Sequence, residues 1–233
     1  MATRFPNRTA CANIWTPRYP RMDSLLADYR KSVRSYECEW KLLGQTLYRL
    51  CQENPQHSNS GVVNAKLWLI GRTFQTGVER HVKSSGGMGS SLDKMAKHLL
   101  RNGRKVDRLI KDVSALGEPL DLEKLSAIVR VHGTFCELVS RIANGRKQLV
   151  SFASKYLHCH APVVPIYDGW AFGQAWRMRR KQDVRCFQRP PGAKDNYYWY
   201  CLCFWQVYSN LQTATKDVNV RLVENFLTWL AHL

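Results

Sequence analysis

The sequence predicts an all-α protein of about eight helices, on two observations. Apolar residues recur at helical spacing over most of the chain, and nowhere does period-two alternation run long enough for a sheet. No internal repeat is present. Residues 1–21 read as a basic arm, broken by Pro6, Pro17 and Pro20, and residues 22–233 as the helical domain. From Asp23, an N-cap residue type, to Cys51 a stripe runs through Leu25, Leu26, Tyr29, Val33, Tyr36, Trp40, Leu43, Leu47 and Leu50. ENPQHSNSG (53–61) is a loop, and a second helix spans Val62 to Val82. SSGGMGSS (84–91) is a flexible loop whose Ser90 or Ser91 caps a basic helix over about 92–115, which Gly117 and Pro119 end. Asp121 starts a helix reaching about Ala143. Asn144-Gly145 is a tight turn into a helix from Arg146 to His158. Pro162 and Pro165 keep 161–168 extended. A short helix follows from Asp168 to about Arg180, then a Pro/Gly loop at 189–195 and two last helices near 196–212 and 216–232.

Composition narrows the function. Hydrophobic residues make up 45% of the 233, enough for a sizeable core and too many for wholesale disorder. Lys+Arg 35 against Asp+Glu 18 gives +17, which points to a polyanion, nucleic acid above all. No apolar run approaches the ~20 residues that span a bilayer. Arg4, Arg8 and Arg18 interrupt the first twenty residues where a secretory signal needs an apolar stretch, so a cytoplasmic protein with reduced thiols is expected. Eight cysteines are present, but His158-Cys159-His160 with Cys186, Cys201 and Cys203 lacks the paired spacing of a structural zinc site. No metal or cofactor is expected.

Residues 141–168 are the most informative. A turn, a helix with small residues (Ser151, Ala153, Ser154) and a proline-stiffened connection deliver one acid, Asp168. Asp168 opens the next helix, so one reading is an N-cap alone. The other is functional: Lys155 and His158 share a helical face, and Arg177, Arg179, Arg180 and Lys181 follow one helix later. A carboxylate there repels phosphates, which is unfavourable for binding alone.

The series NGRKQLVSFASKYLHCHAPVVPIYD resembles the hairpin, helix and catalytic aspartate of helix-hairpin-helix DNA glycosylases, most of all their 8-oxoguanine-glycosylase-like prokaryotic branch. AKLWLIGRTFQTGVERH (65–81) and ENFLTWL near the C-terminus are similar to that branch too. The resemblance implies helices in two lobes around a cleft, double-stranded DNA as partner, foreign or damaged, and a monomer that excises a modified base. Some members of the branch act against phage DNA, so a hypermodified base such as glucosylated hydroxymethylcytosine is one implied substrate. It also implies that Asp168 is the catalytic carboxylate. The family's Leu-Pro-Gly-Val-Gly hairpin is reduced to Asn144-Gly145, so its phosphate-holding role passes in part to Arg146 and Lys147. Lys147 precedes Asp168 by 21 residues and Lys155 by 13, and bifunctional relatives have somewhat under twenty. Both remain supporting or alternative amines.

Base flipping needs aromatic faces. The chain offers Trp68, Phe74, Trp170, Trp176, Tyr197, Tyr198, Trp199, Tyr200, Phe204 and Trp205, of which most are expected inside and only one or two on the base, Trp170 and Phe74 first. The expected base pocket is Arg72, Phe74, Glu79, Trp170 and His158, with Arg72 and Glu79 on one helical face as either an ion pair or base contacts. Backbone contacts fall to Asn144, Gly145, Arg146, Arg177, Arg179, Arg180 and Lys181, with Lys97, Arg101, Arg104 and Lys105 as a second basic run. Competing readings are a non-catalytic basic DNA-binding protein, an 8-oxoguanine-type repair glycosylase/lyase, and a nuclease, for which no carboxylate cluster is visible.

Overall fold

The computed structural model describes residues 22–33, 37–82, 90–179 and 188–233. The basic arm, most of the Gly/Ser loop, and Arg180 and Lys181 lie outside the described residues. Among those described, eleven α-helices and no strand occur. They are α1 (Met22–Val33), α2 (Glu37–Glu53), α3 (Ser60–Phe74), α4 (Val78–His81), α5 (Ser91–Arg101), α6 (Gly103–Ser114), α7 (Leu122–Ser140), α8 (Val150–His160), α9 (Gly169–Met178), α10 (Asp195–Ala214) and α11 (Val220–Leu230). The all-α expectation holds, and the helix count rises because expected helices divide. α1 starts at Met22, which puts Asp23 inside its first turn. The helix expected over 62–82 ends at Gln75, left-handed at φ 48, and Gly77 at φ 67 cannot continue it. The helix expected over 92–115 turns at Asn102-Gly103. A Cβ on Gly103 would meet the His57 carbonyl oxygen at 2.7 Å, so this corner sits hard against the 54–59 loop.

Local capping matches the sequence. Ser90 and Asp93 form a reciprocal capping box at α5. Asn59, Asp121, Asp168 and Asn219 each accept a backbone amide at a helix start. α8 begins later than expected. Asn144–Arg146 makes a 3-10 turn with Gly145 at φ 63, after which Lys147 is extended.

The buried side chains form one apolar cluster from Leu26 to Leu230. α8 crosses it, touching α2, α3, α6 and α7, and every residue of α8 except Ser151 is buried. A helix buried all round must satisfy its polar groups internally. Tyr156 bonds His57 Nε2 at 2.7 Å, and His57 Nδ1 lies 2.7 Å from Asp107 of α6, which ties the loop before α3 to both helices. Cys51, Cys136, Cys159, Cys201 and Cys203 are buried free thiols. No described helix is long and apolar enough to cross a membrane.

Candidate active site

The connection from Ala161 to Asp168 is mostly buried between α8 and α9. It is not extended throughout as expected: the Ala161 amide closes α8 on the Leu157 carbonyl, and the Val164 amide returns to the Ala161 carbonyl at 3.0 Å in a turn. From the Val164 carbonyl to Tyr167 the backbone has no helix or sheet to pair with. Side chains supply the partners. His158 Nδ1–H donates to the Val164 carbonyl at 2.7 Å, and the Tyr197 hydroxyl donates to that of Pro165 at 2.8 Å. The Ile166 amide donates to Glu224 Oε1 at 2.6 Å. Ser154 Oγ accepts the Tyr167 amide at 2.9 Å, and Ser151 Oγ donates to the Tyr167 carbonyl at 3.1 Å. Four consecutive residues are thus fixed by α8, α10 and α11. A buried backbone group without such a partner costs about 1–3 kcal/mol, so the arrangement specifies one conformation of the chain leading to Asp168.

Asp168 then caps α9. Its Oδ1 accepts from the Trp170 amide at 2.9 Å and from that of Ala171 at 3.5 Å. The carboxylate is half-buried, and beside it Trp170 is 71% exposed, with its indole facing outward. Gly169 next to it is also exposed.

Lys155 approaches from below. It is buried, its Nζ donates to the Phe74 carbonyl at 3.0 Å, and burial holds its pKa below the ordinary lysine value while the Asp168 charge partly offsets the shift. The two groups sense each other without a direct ion pair among the described residues. Phe74 is the last residue of α3, so this bond joins the 65–81 stretch to the helix that precedes Asp168. A second meeting lies at the turn. Burial and then the charges of Lys147 and Arg80 lower the His81 pKa, which places exposed Lys147 near the end of α4.

Other expected residues fall elsewhere. His158 was expected to face a base, yet it is a core histidine. Besides donating to Val164 it takes the Tyr48 hydroxyl on Nε2 at 2.7 Å, and burial drives its pKa to about 3, so both ring nitrogens are engaged and the ring is neutral. Arg72 and Glu79 do not share a helix, because the chain breaks between them. Both are exposed, no ion pair joins them, and the Arg72 guanidinium lies 5.9 Å from the Trp68 ring centre. Phe74 is half-buried against the core. Of the other aromatic candidates, Tyr197, Tyr198, Tyr200 and Phe204 are buried, Trp176, Trp199 and Trp205 pack partly against them, and Trp68 is 54% exposed. Asn144 and Gly145 are exposed in the 3-10 turn, and Arg177 is exposed on α9. Arg179 stacks on Trp176, 3.4 Å from its ring centre, and donates to the Trp176 carbonyl.

Glu224 is the residue that sequence reasoning missed. It is buried, Arg221 Nη1 lies 3.5 Å from its Oε2, and burial pushes its pKa up to about 7 against the opposing pull of Arg221 and the Ile166 amide. Its signal is a lone acid within the apolar stripe Val220, Val223, Phe226, Leu227 of α11. Among the described residues no cluster of three or more His, Cys, Asp or Glu side chains is placed to hold a metal. Comparisons with protein-family models, curated proteins and solved structures give no match.

Proposed function

We propose that the chain is a DNA N-glycosylase that removes a modified base from an extruded nucleotide and leaves an abasic site. The observation that carries this reading is Asp168 itself: a half-buried carboxylate at the end of a connection held by five side-chain hydrogen bonds, with a desolvated amine behind it and an exposed indole beside it. Cleavage of the C1′–N bond sends the electron pair to the departing base and leaves positive charge on the sugar. A fixed carboxylate stabilises that charge and takes the proton of the attacking water. Lys155 lies within electrostatic reach of Asp168, and as a desolvated amine it has the character needed to attack C1′, the lyase alternative. Trp170 offers the flipped base a face. Two lobes around a cleft, a phosphate hold at Asn144–Lys147, and further contacts from Arg177, Arg179, Arg180 and Lys181 belong to the same proposal. A hypermodified phage base is the substrate class the sequence resemblance favours, with an oxidised base as the repair-type variant.

A second reading has its own observation. The two amides on Asp168 Oδ1 are those of an N-cap, so the acid could serve α9 alone in a non-catalytic basic DNA-binding protein. Asp168→Asn separates the two, because Asn caps as well as Asp while lacking the charge. Catalysis predicts base release lowered by about 10²–10⁴-fold with unchanged stability. The assay is incubation with modified DNA in EDTA, followed by alkali. Strand breaks only after alkali indicate a monofunctional enzyme; breaks without alkali, with borohydride trapping lost in Lys155→Ala, indicate a lyase. No release by the wild-type chain from any modified DNA leaves the binder.

A further inference from the structure

α5 and α6 carry a charge arrangement that base excision does not use. Between Ser91 and Ser114 stand seven cations, Lys94, Lys97, Arg101, Arg104, Lys105, Arg108 and Lys111, against three carboxylates. Two of those carboxylates have other hydrogen-bond partners, although Asp93 still feels the charge of Lys97. Asp93 is held in the Ser90 capping box, and Asp107 turns to His57 at 2.7 Å. Asp112 alone remains exposed. Lys97, Arg101, Arg104, Lys105, Arg108 and Lys111 are all exposed, and no carboxylate pairs with them among the described residues.

Their placement is ordered. Lys97 and Arg101 are four apart on α5; Arg104, Arg108 and Lys111 fall at i, i+4 and i+7 on α6, so each set shares a face. The opposite faces are buried, through Met95, Ala96 and Leu99 on one helix and Val106, Leu109, Ile110 and Val113 on the other. The corner between the helices is fixed by Gly103 against the His57 backbone, so the two rows keep one relative position. Every exposed residue from Ser91 to Ser114 is polar. A helix that lies in a membrane surface needs apolar side chains to insert, and these helices have none outside the core. What remains is a predominantly cationic ridge, six exposed cations against the one exposed carboxylate of Asp112, complementary to a rigid polyanion. On α6 its cations extend over about 10 Å, along which a DNA duplex presents a charge roughly every 1.7 Å.

We infer that the α5–α6 ridge is a second docking track for the phosphate backbone of duplex DNA, separate from the Asp168 site and blind to base identity. It rests on the proposal that DNA is the partner, and requires no base excision. The track holds the duplex outside the reacting nucleotide, as a protein must to search a long polymer for a rare base.

The test is binding to a short unmodified DNA duplex across a salt series, so a failure of base excision leaves it readable. Replacing Lys97, Arg101, Arg104 and Arg108 together by Ala should weaken binding more than about tenfold at low salt and reduce the slope of log K against log salt by about 0.9 per lost contact, up to about 3.6. The cations are exposed and Ala favours helix, so the melting transition should stay in place. A control lacking the exposed Lys31, Arg49, Arg141 and Lys216 should keep most of the slope. An unchanged slope in the ridge variant, an equal loss in the control, or ridge-dependent binding to phosphatidylserine vesicles with DNA binding intact would each overturn the inference. Loss of the ridge effect with abasic-site formation preserved would sink the track and leave the glycosylase reading standing.

Discussion

The two ends of α8 are built on opposite terms. At the C-terminal end the chain leaves α8 through a turn into an irregular stretch, yet His158, Ser151, Ser154, Tyr197 and Glu224 together hold four consecutive residues. At the N-terminal end the 3-10 turn is exposed, and its chief anchors come from outside it. His132 Nε2–H donates to the Val150 carbonyl at 3.0 Å, and Ser140 Oγ accepts the Leu149 amide at 2.9 Å. One end is over-determined around a carboxylate; the other leaves Asn144, Gly145 and Lys147 open to solvent. The contrast separates two demands. A group that must meet a reacting atom has to be placed closely, whereas a turn that meets a phosphate works through charge and backbone amides.

The largest effect should come from breaking the clamped end. Glu224→Ala leaves Arg221 without its buried partner and the Ile166 amide without an acceptor, and should cost about 3–5 kcal/mol by denaturant unfolding. A cost under about 1 kcal/mol would mean that the connection holds itself.

Next comes pH. His132 and His158 are buried neutral with pKa values near 3, below the ordinary 6.5. Their folded pKa values are depressed, so their stability is full above 6.5 and is lost as pH falls through that value toward 3. Glu224 has the opposite sign: raised from 4.5 to about 7, it favours folding at low pH and loses that contribution as pH rises between those values. From pH 6.5 to 5 the three therefore partly cancel. Glu224→Gln keeps an oxygen for Ile166 and removes the titration, so its stability should fall with acid more steeply than wild type by about 1.4 kcal/mol per pH unit. Parallel curves for the two proteins would show that Glu224 does not titrate in this range.

The smallest effect belongs to the open end. Gly145 sits at φ 63 with free space around it, so Gly145→Ala meets no atom and pays only the left-handed backbone, about 1 kcal/mol. A loss as large as that from Glu224→Ala would make the two ends alike.

Much of this was legible in the residues. The helix starts at Ser90, Asp121 and Asp168 follow from side chains that accept their own backbone amides, a local event. The turn at Asn144-Gly145 is local as well, whereas the extended path expected through Pro162 gives way to a turn that the Val164 amide closes on the Ala161 carbonyl. The division of the basic helix at Gly103 was not legible, since it depends on the His57 carbonyl arriving from a loop more than forty residues earlier. His158 misled because its spacing from Lys155 places it on a shared face, while Tyr48 and Val164, which claim its nitrogens, come from other parts of the chain.

The sequence by itself determined an all-helical chain, strongly basic, with one acid delivered by a proline-stiffened connection. Those properties reside in period, charge count and residues whose backbone preference needs no neighbour. Tertiary structure alone decided which polar side chains turn inward: Glu224 to Ile166, Asp107 to His57, Lys155 to Phe74. The reason is that burial gives a polar group its cost and its partner together, and both are set by elements distant in the chain.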